Sequence, residues 1–196
     1  MIRPAKFGEM GQVSNIIVSS FYKASPLIRP YLYLNELQRL QSNFPYSDPK
    51  HYVFVASIGR VIVGFVDVDG RPSTMAKAPP RPYLSDLAVD PNYRRRGIAK
   101  ALIQKCEDVV QDFMNSKELY LRVERENQPG LSMYDGLGYI PLSHPVFGVE
   151  DTTILLKREF SSDRRNNNNT TIHTNTKSPA EDDLRETNIN TLDYVV

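Results

Sequence analysis

Residues 83–110, YLSDLAVDPNYRRRGIAKALIQKCEDVV, commit the chain to a strand, a short basic turn and a long amphipathic helix in immediate succession. Residues 83–89 alternate, so Tyr83, Ser85, Leu87 and Val89 are expected on one face of a strand and Leu84, Asp86 and Ala88 on the other. Asp90 and Pro91 stop it. After Gly97, the residues Ile98, Leu102, Cys106, Val109 and Phe113 recur on one side of a helix, with Lys100, Gln104, Lys105, Asp108 and Asp112 turned away. A strand that runs through a turn into a helix presents unpaired backbone N–H groups and the positive end of a helix dipole, which together make an anion site.

The segments around this unit alternate in period. Residues 2–5 read as a short strand, and Met10, Val13, Ile16, Ile17 and Phe21 follow at helical spacing. Residues 23–30 hold two prolines and break that pattern. Leu32, Glu36, Leu37 and Leu40 then mark a second helix, ended by Asn43, Phe44 and Pro45. In the connector, Tyr31, Leu32 and Tyr33 either pack on a sheet or line a substrate loop. From His51 the period becomes two: HYVFVAS and VIVGFVDV form a hairpin turning at Gly59, with a bulge or a close approach at Gly64. Residues 69–82 are too rich in proline for regular structure. Residues 118–123 read as a strand, Asn127 and Pro129 as a helix start, Gly136 and Gly138 as its stop, and TTILLKR as a last strand. One folded domain over residues 1–160 is expected, with a disordered polar tail over residues 161–196 containing NNNNTT.

Composition removes several functions. Of 24 Lys and Arg against 23 Asp and Glu, the body holds the positive excess and the tail the negative, about +3 and −2. That balance suits neither a nucleic-acid coat nor a membrane-binding face. The single cysteine, Cys106, excludes an internal disulfide and a multi-cysteine metal site, and no metal is expected. Lying on the apolar stripe of its helix, it reads as a buried, inert thiol. No secretory signal or membrane span is visible, so a cytoplasmic protein is expected.

The strand, RRRGIA and helix, joined to LYLRVERENQPGLSMYDGLGY, resemble the two core motifs of the GNAT family of N-acetyltransferases. The resemblance covers residues 1–160. Arg94, Gly97 and Ala99 meet the family's phosphate-turn pattern, and Asn127 with Tyr134 seven residues later meets the second motif. The texture is similar to the cyanobacterial and plastid branch, which suggests a plastid as the other compartment, and to amino-terminal protein acetyltransferases. The implied fold is α/β: a mixed, mostly antiparallel central sheet, splayed between its fourth and fifth strands and flanked by about four helices.

The implied cosubstrate is acetyl-CoA. Its pyrophosphate would lie over Arg95, Arg96, Gly97, Ile98, Ala99 and Lys100, held by backbone N–H groups and helped by the basic side chains. Leu87, Ala88 and Val89 would pair with the pantetheine arm, and a backbone N–H near Leu87 or Ala88 would hold the oxyanion. Resemblance assigns Tyr134 as donor to the leaving sulfur and Asn127 as a cofactor ligand; read alone, they are a core aromatic and a helix cap. Many relatives carry Glu or His where this chain has Arg122, which accepts no proton. Tyr83 matches a position used as base or water-ordering group, and Asp86 and Glu124 are further carboxylate candidates.

The missing base favours an acceptor that needs little help. At pH 7 a peptide α-amine is neutral in roughly one molecule in six to eleven, a lysine in about one in 2,500. Protein or peptide amino termini are therefore the expected acceptors, with lysine secondary, and residues 22–33 and 141–149 would form their groove. A small-molecule amine acetyltransferase and a non-catalytic acyl-CoA sensor share the same donor residues and stay open at this level.

Overall fold

The computed structural model describes residues 1–23, 25–46, 48–73, 78–142 and 152–161 of the 196-residue chain. Within them lie seven strands, β1 Ile2–Pro4, β2 His51–Ile58, β3 Val61–Asp69, β4 Tyr83–Val89, β5 Glu118–Glu124, β6 Ile140–Pro141 and β7 Thr153–Glu159. Four helices accompany them: α1 Met10–Phe21, α2 Arg29–Ser42, α3 Ile98–Asp112 and α4 Gln128–Asp135. The strands form one sheet in the order β1-β2-β3-β4-β5-β7-β6, antiparallel throughout except where β5 runs parallel to β4. This is the mixed α/β architecture expected. The expected tail and most of the late acceptor loop lie outside the described residues, and no described helix is long and apolar enough to cross a membrane.

Alternation along the strands sends side chains into two cores. Val53 and Val55 of β2, with Phe65 of β3, meet Met10, Val13, Ile16 and Ile17 of α1 and Leu40 of α2. Phe54 and Ala56, with Val66 and Val68, meet Leu102, Ile103, Cys106, Val109 and Val110 of α3 on the opposite face. Burial of these apolar faces, at about 25 cal/mol per Å², is the main force holding the helices to the sheet.

Two register shifts interrupt the alternation, and each has a consequence for the site. In the β2–β3 hairpin, Ala56 faces Gly64 while Ser57 faces Ile62, so Val63 is an extra residue. Both sequence expectations for Gly64 are met, since a Cβ there would lie 3.1 Å from Ile98 Cγ2 and from Leu102 Cδ1. This close approach lets α3 lie low on the sheet. In the second shift, Ala88 pairs with Phe65 and Ser85 with Asp67, so Asp86 and Leu87 together oppose Val66. The strict two-face reading of β4 is corrected here. Leu84 joins the α3-side core and Ala88 the α1-side core, although simple alternation places them together.

Three local expectations also change. Helix α2 begins at Arg29, earlier than its apolar spacing indicates, because Pro30 fits the first turn, where no N–H is needed. Tyr31 does not pack on the sheet; it is exposed, while Ser14 Oγ donates to the Tyr33 carbonyl at 2.7 Å and ties α2 to α1. Phe113 leaves the apolar stripe of α3 because it is the C-cap, where the helical turn has ended, and it is exposed beside Tyr52.

Candidate active site

The fourth and fifth strands part company in the middle of the sheet. They pair only at Tyr83 with Tyr120 and Leu84 with Leu121; beyond that, Arg122, Val123 and Glu124 pair with β7 alone. The remaining part of β4, residues 85–89, therefore has a backbone edge open towards β5. The splay expected between these strands is present, and the second bulge sits at its start.

The basic turn lies beyond the far end of that open edge. Asp90 Oδ1 accepts from the Asn92 N–H at 2.8 Å and shapes a 3-10 turn over Pro91–Tyr93. Arg95 and Gly97 then adopt left-handed conformations, with φ of 63° and 77°. Such alternation turns successive N–H groups towards one concavity. Gly97 is the N-cap of α3 and no side chain caps the helix, so the first N–H groups, at Ile98, Ala99 and Lys100, face outward with the dipole behind them.

The basic side chains have distinct parts. Arg94 Nε donates to the Val89 carbonyl at 3.1 Å, bracing the turn against the strand. Arg96 donates to the Asn92 carbonyl at 3.3 Å and lies over the Tyr93 ring, 5.1 Å from its centroid. Arg95 and Lys100 are exposed. Ser20 Oγ, 3.4 Å away, also donates to the Val89 carbonyl, so further strand-like pairing along β4 falls to Leu87 and Ala88. The turn, its helix terminus and its cations fit a pyrophosphate, and the open strand edge fits an extended amide-bearing arm.

Gly97 gives a direct test of this fit. A methyl group there would meet no protein atom within 4 Å, yet its φ of 77° suits only glycine without strain. Holding alanine in that conformation costs about 1–2 kcal/mol, and the methyl would project into the space before the turn. Gly97→Ala is expected to weaken CoA binding about tenfold by calorimetry. An unchanged dissociation constant would remove the turn from the donor site.

Tyr134, from α4, comes to the split from the α3 side. The helix that carries it is set by Asn127, whose Oδ1 accepts from the Gly130 N–H at 3.0 Å, and ended by Gly138, whose φ is 83°. Asn127 is thus a helix cap in this structure. Tyr134 is 7% exposed, and its ring packs edge-on against Tyr139 at 5.6 Å. Burial raises its pKa well above the usual tyrosine value, with the nearby Tyr83 and Cys106 adding to the effect. Tyr83 is partly buried and also raised, chiefly by burial, while the charge and backbone N–H of Arg122 pull the other way. Tyr83, Tyr134 and Arg122 therefore gather at one point of the split. Glu124 is exposed at the end of β5, and Cys106 is fully buried with its thiol pushed up by desolvation, as expected of an inert core cysteine.

These features match a known pattern from residue 12 to residue 139, the span recognised by the model of the acetyltransferase (GNAT) family. The chain belongs to the GNAT family. A relative named N-alpha-acetyltransferase from Sulfurisphaera tokodaii is 25% identical over 138 residues, 70% of this chain and 78% of that one. Another, N-alpha-acetyltransferase RimI of Mycobacterium tuberculosis, is 31% identical over 94 residues, covering 47% of this chain and 54% of its own. Among solved structures, the PaiA N-acetyltransferase of Thermoplasma acidophilum in complex with coenzyme A superposes with a TM-score of 0.59, at 20% identity, over 82% of this chain and 98% of that one. This GNAT protein is an acetyl-CoA-dependent N-acetyltransferase that acts on an amine.

Sequence reasoning about the GNAT site missed two groups of contacts. One is the pairing of Asp86 with Arg39, 47 residues away, which no local spacing reveals. The other is Glu107, 1% exposed on the inner side of α3, which accepts from the Tyr139 hydroxyl at 3.1 Å and pairs with Arg158 at 3.2 Å. Glu107 neighbours Cys106 on the buried stripe, and that adjacency was its only visible signal.

Proposed function

We propose that the chain transfers acetyl from acetyl-CoA to the α-amine of protein or peptide amino termini, with residues 1–160 as the catalytic domain. The open edge of β4 carries this reading, because it offers a strand-like track next to the uncapped, basic N-terminus of α3, with the buried Tyr134 interacting with Tyr83 at the start of that edge. In that arrangement Arg95, Arg96, Gly97, Ile98, Ala99 and Lys100 hold the pyrophosphate, with Arg94 bracing the turn. Leu87 and Ala88 guide the arm, while Val89 anchors the turn through its carbonyl, which accepts from Arg94 and Ser20. Asn127 contributes by setting the helix that carries Tyr134.

The neutral amine attacks the thioester carbonyl, a C–N bond forms, and the C–S bond breaks as CoA leaves. A backbone N–H at the bulge, near Leu87 or Ala88, stabilises the oxyanion. Full proton transfer from an ordinary tyrosine to a thiolate costs about 2 kcal/mol, from reference pKa values near 10 and 8.5. Burial makes that transfer costlier still for Tyr134, so the hydroxyl acts by donating a hydrogen bond to the departing sulfur. Tyr83 stands beside it as an ordering group for the acceptor.

Names of curated relatives support an α-amine acceptor. So does the chemistry, since an α-amine is neutral far more often than a lysine at pH 7 and is the easier of the two to deprotonate. The deciding experiment offers acetyl-CoA with peptides carrying a free α-amine, a blocked α-amine with a lysine, or neither, and reads thiol release with mass spectrometry of the product. Acetylation at the free α-amine is expected; modification of lysine alone, or of small amines alone, would overturn the acceptor assignment.

A further inference from the structure

We propose that Asp86 binds the acceptor's ammonium group and takes its proton, and that Arg39, Glu36 and Tyr22 hold this carboxylate in place. Asp86 is one of the two residues of the β4 bulge, with φ of 53°. A left-handed residue inside a strand breaks the alternation of side chains, and here it sends the carboxylate towards α2. It does so two residues beyond the last β4–β5 pair.

The partners form a chain across three elements. Asp86 Oδ2 accepts from Arg39 Nη1 at 2.8 Å, and Arg39 is its hydrogen-bond partner among the described residues. Arg39 also donates from Nε and Nη2 to Glu36 Oε2, at 2.9 and 2.7 Å. Glu36 is buried, and its Oε1 accepts from the Tyr22 hydroxyl at 2.6 Å. Two carboxylates against one guanidinium leave a local excess of one negative charge, which an ammonium group would balance. The wider surroundings keep that sign: Asp67 of β3 adds a negative charge that is felt at Asp86, while Arg122 of β5 adds a positive one at Tyr83.

Acid and base would then flank the thioester. Tyr134 belongs to the α3-side core, and Asp86 is tied to α2 on the other face. Tyr83 interacts electrostatically with Asp86 on the one hand and with Tyr134 on the other. Burial raises the proton affinity of Asp86 despite the opposing Arg39, which makes it a stronger acceptor than a surface carboxylate.

Taking the acceptor to be an α-amine, as proposed above, the protons balance. One passes from the ammonium to Asp86 and then to solvent. The neutral amine attacks, the C–S bond breaks, and the second nitrogen proton ends on the CoA thiol. The sum is ammonium plus acetyl-CoA giving amide, CoA thiol and one proton.

The test is a pH profile of kcat/KM from pH 6 to 9.5, using acetyl-CoA and a lysine-free peptide, for the wild-type chain, Asp86→Asn and Arg39→Gln. Asparagine tolerates the left-handed conformation as well as aspartate does, so the fold is preserved. CoA affinity, measured alongside, is expected to be unchanged. Lacking the proton acceptor, Asp86→Asn can use only neutral amine, and its rate is expected to fall about six- to elevenfold at pH 7 and to rejoin wild type near pH 9.5. Arg39→Gln removes a cation that favours the charged carboxylate, so its acidic limb moves to higher pH. No loss at pH 7, or a loss of the same size at every pH, overturns the role of Asp86. If the wild-type chain acetylates only small amines of higher pKa, the α-amine reading fails separately. The same comparison then decides Asp86, with the two curves expected to meet only near that amine's own pKa.

Discussion

Tyr134→Phe is expected to lower kcat about 100-fold, equivalent to about 2.7 kcal/mol, while leaving the affinity for CoA within twofold of wild type. The substitution removes one oxygen and keeps the ring that packs edge-on against Tyr139, so the core around α4 is preserved. In the mechanism proposed above, what is lost is the donor to the departing sulfur, an interaction that would strengthen only as the C–S bond breaks. Such a loss falls on kcat rather than on binding. Burial also raises the pKa of Tyr134, so the wild-type rate is expected to show no decline from its ionisation up to about pH 9. Steady-state kinetics with an α-amine peptide would measure both effects. A change of less than twofold would reduce Tyr134 to a packing residue.

Glu107→Leu is expected to destabilise the fold by about 3 kcal/mol, lowering the thermal midpoint by about 6–12 °C for a domain of this size. The carboxylate is 1% exposed and accepts from Tyr139 while pairing with Arg158. The Arg158 guanidinium also donates to the Leu137 carbonyl and lies between the Tyr139 and Phe160 rings. Removing the anion leaves a largely buried cation and a buried hydroxyl without their partner, which is why the cost exceeds that of a surface pair. A double variant, Glu107→Leu with Arg158→Met, is expected to recover much of the loss, since a matched apolar pair needs no compensation. Thermal and urea melts decide this, and a midpoint shift under 2 °C for the single variant would contradict it.

The order of elements was legible because its signals are local. Period two in residues 51–58, period 3.6 after Gly97, and Pro129 in the first turn of α4 each act within a few residues. The basic turn was legible for the same reason, and its Gly97 is a left-handed helix cap. The β4 bulge was not, because only the pairing with β3 reveals the extra residue in YLSDLAV. Arg39 and Asp86 meet only after α2 has packed on the α1 side, and Glu107 finds Arg158 only once β7 lies beside β5. Charges inside a fold are set by partners distant in sequence, and the amphipathic pattern hides them.

The pairing of β4 with β5 through two residue pairs also has a mechanical meaning. Backbone pairing links β1 to β4 with β5, β7 and β6 only at Tyr83 and Leu84, and elsewhere the two halves of the sheet are held together by the shared core under α3. An extended ligand along the free edge of β4 would serve as a temporary strand between the two halves. Grip on the donor and rigidity of the sheet would then be a single thermodynamic quantity, so each turnover that releases CoA also loosens the frame that holds the acceptor.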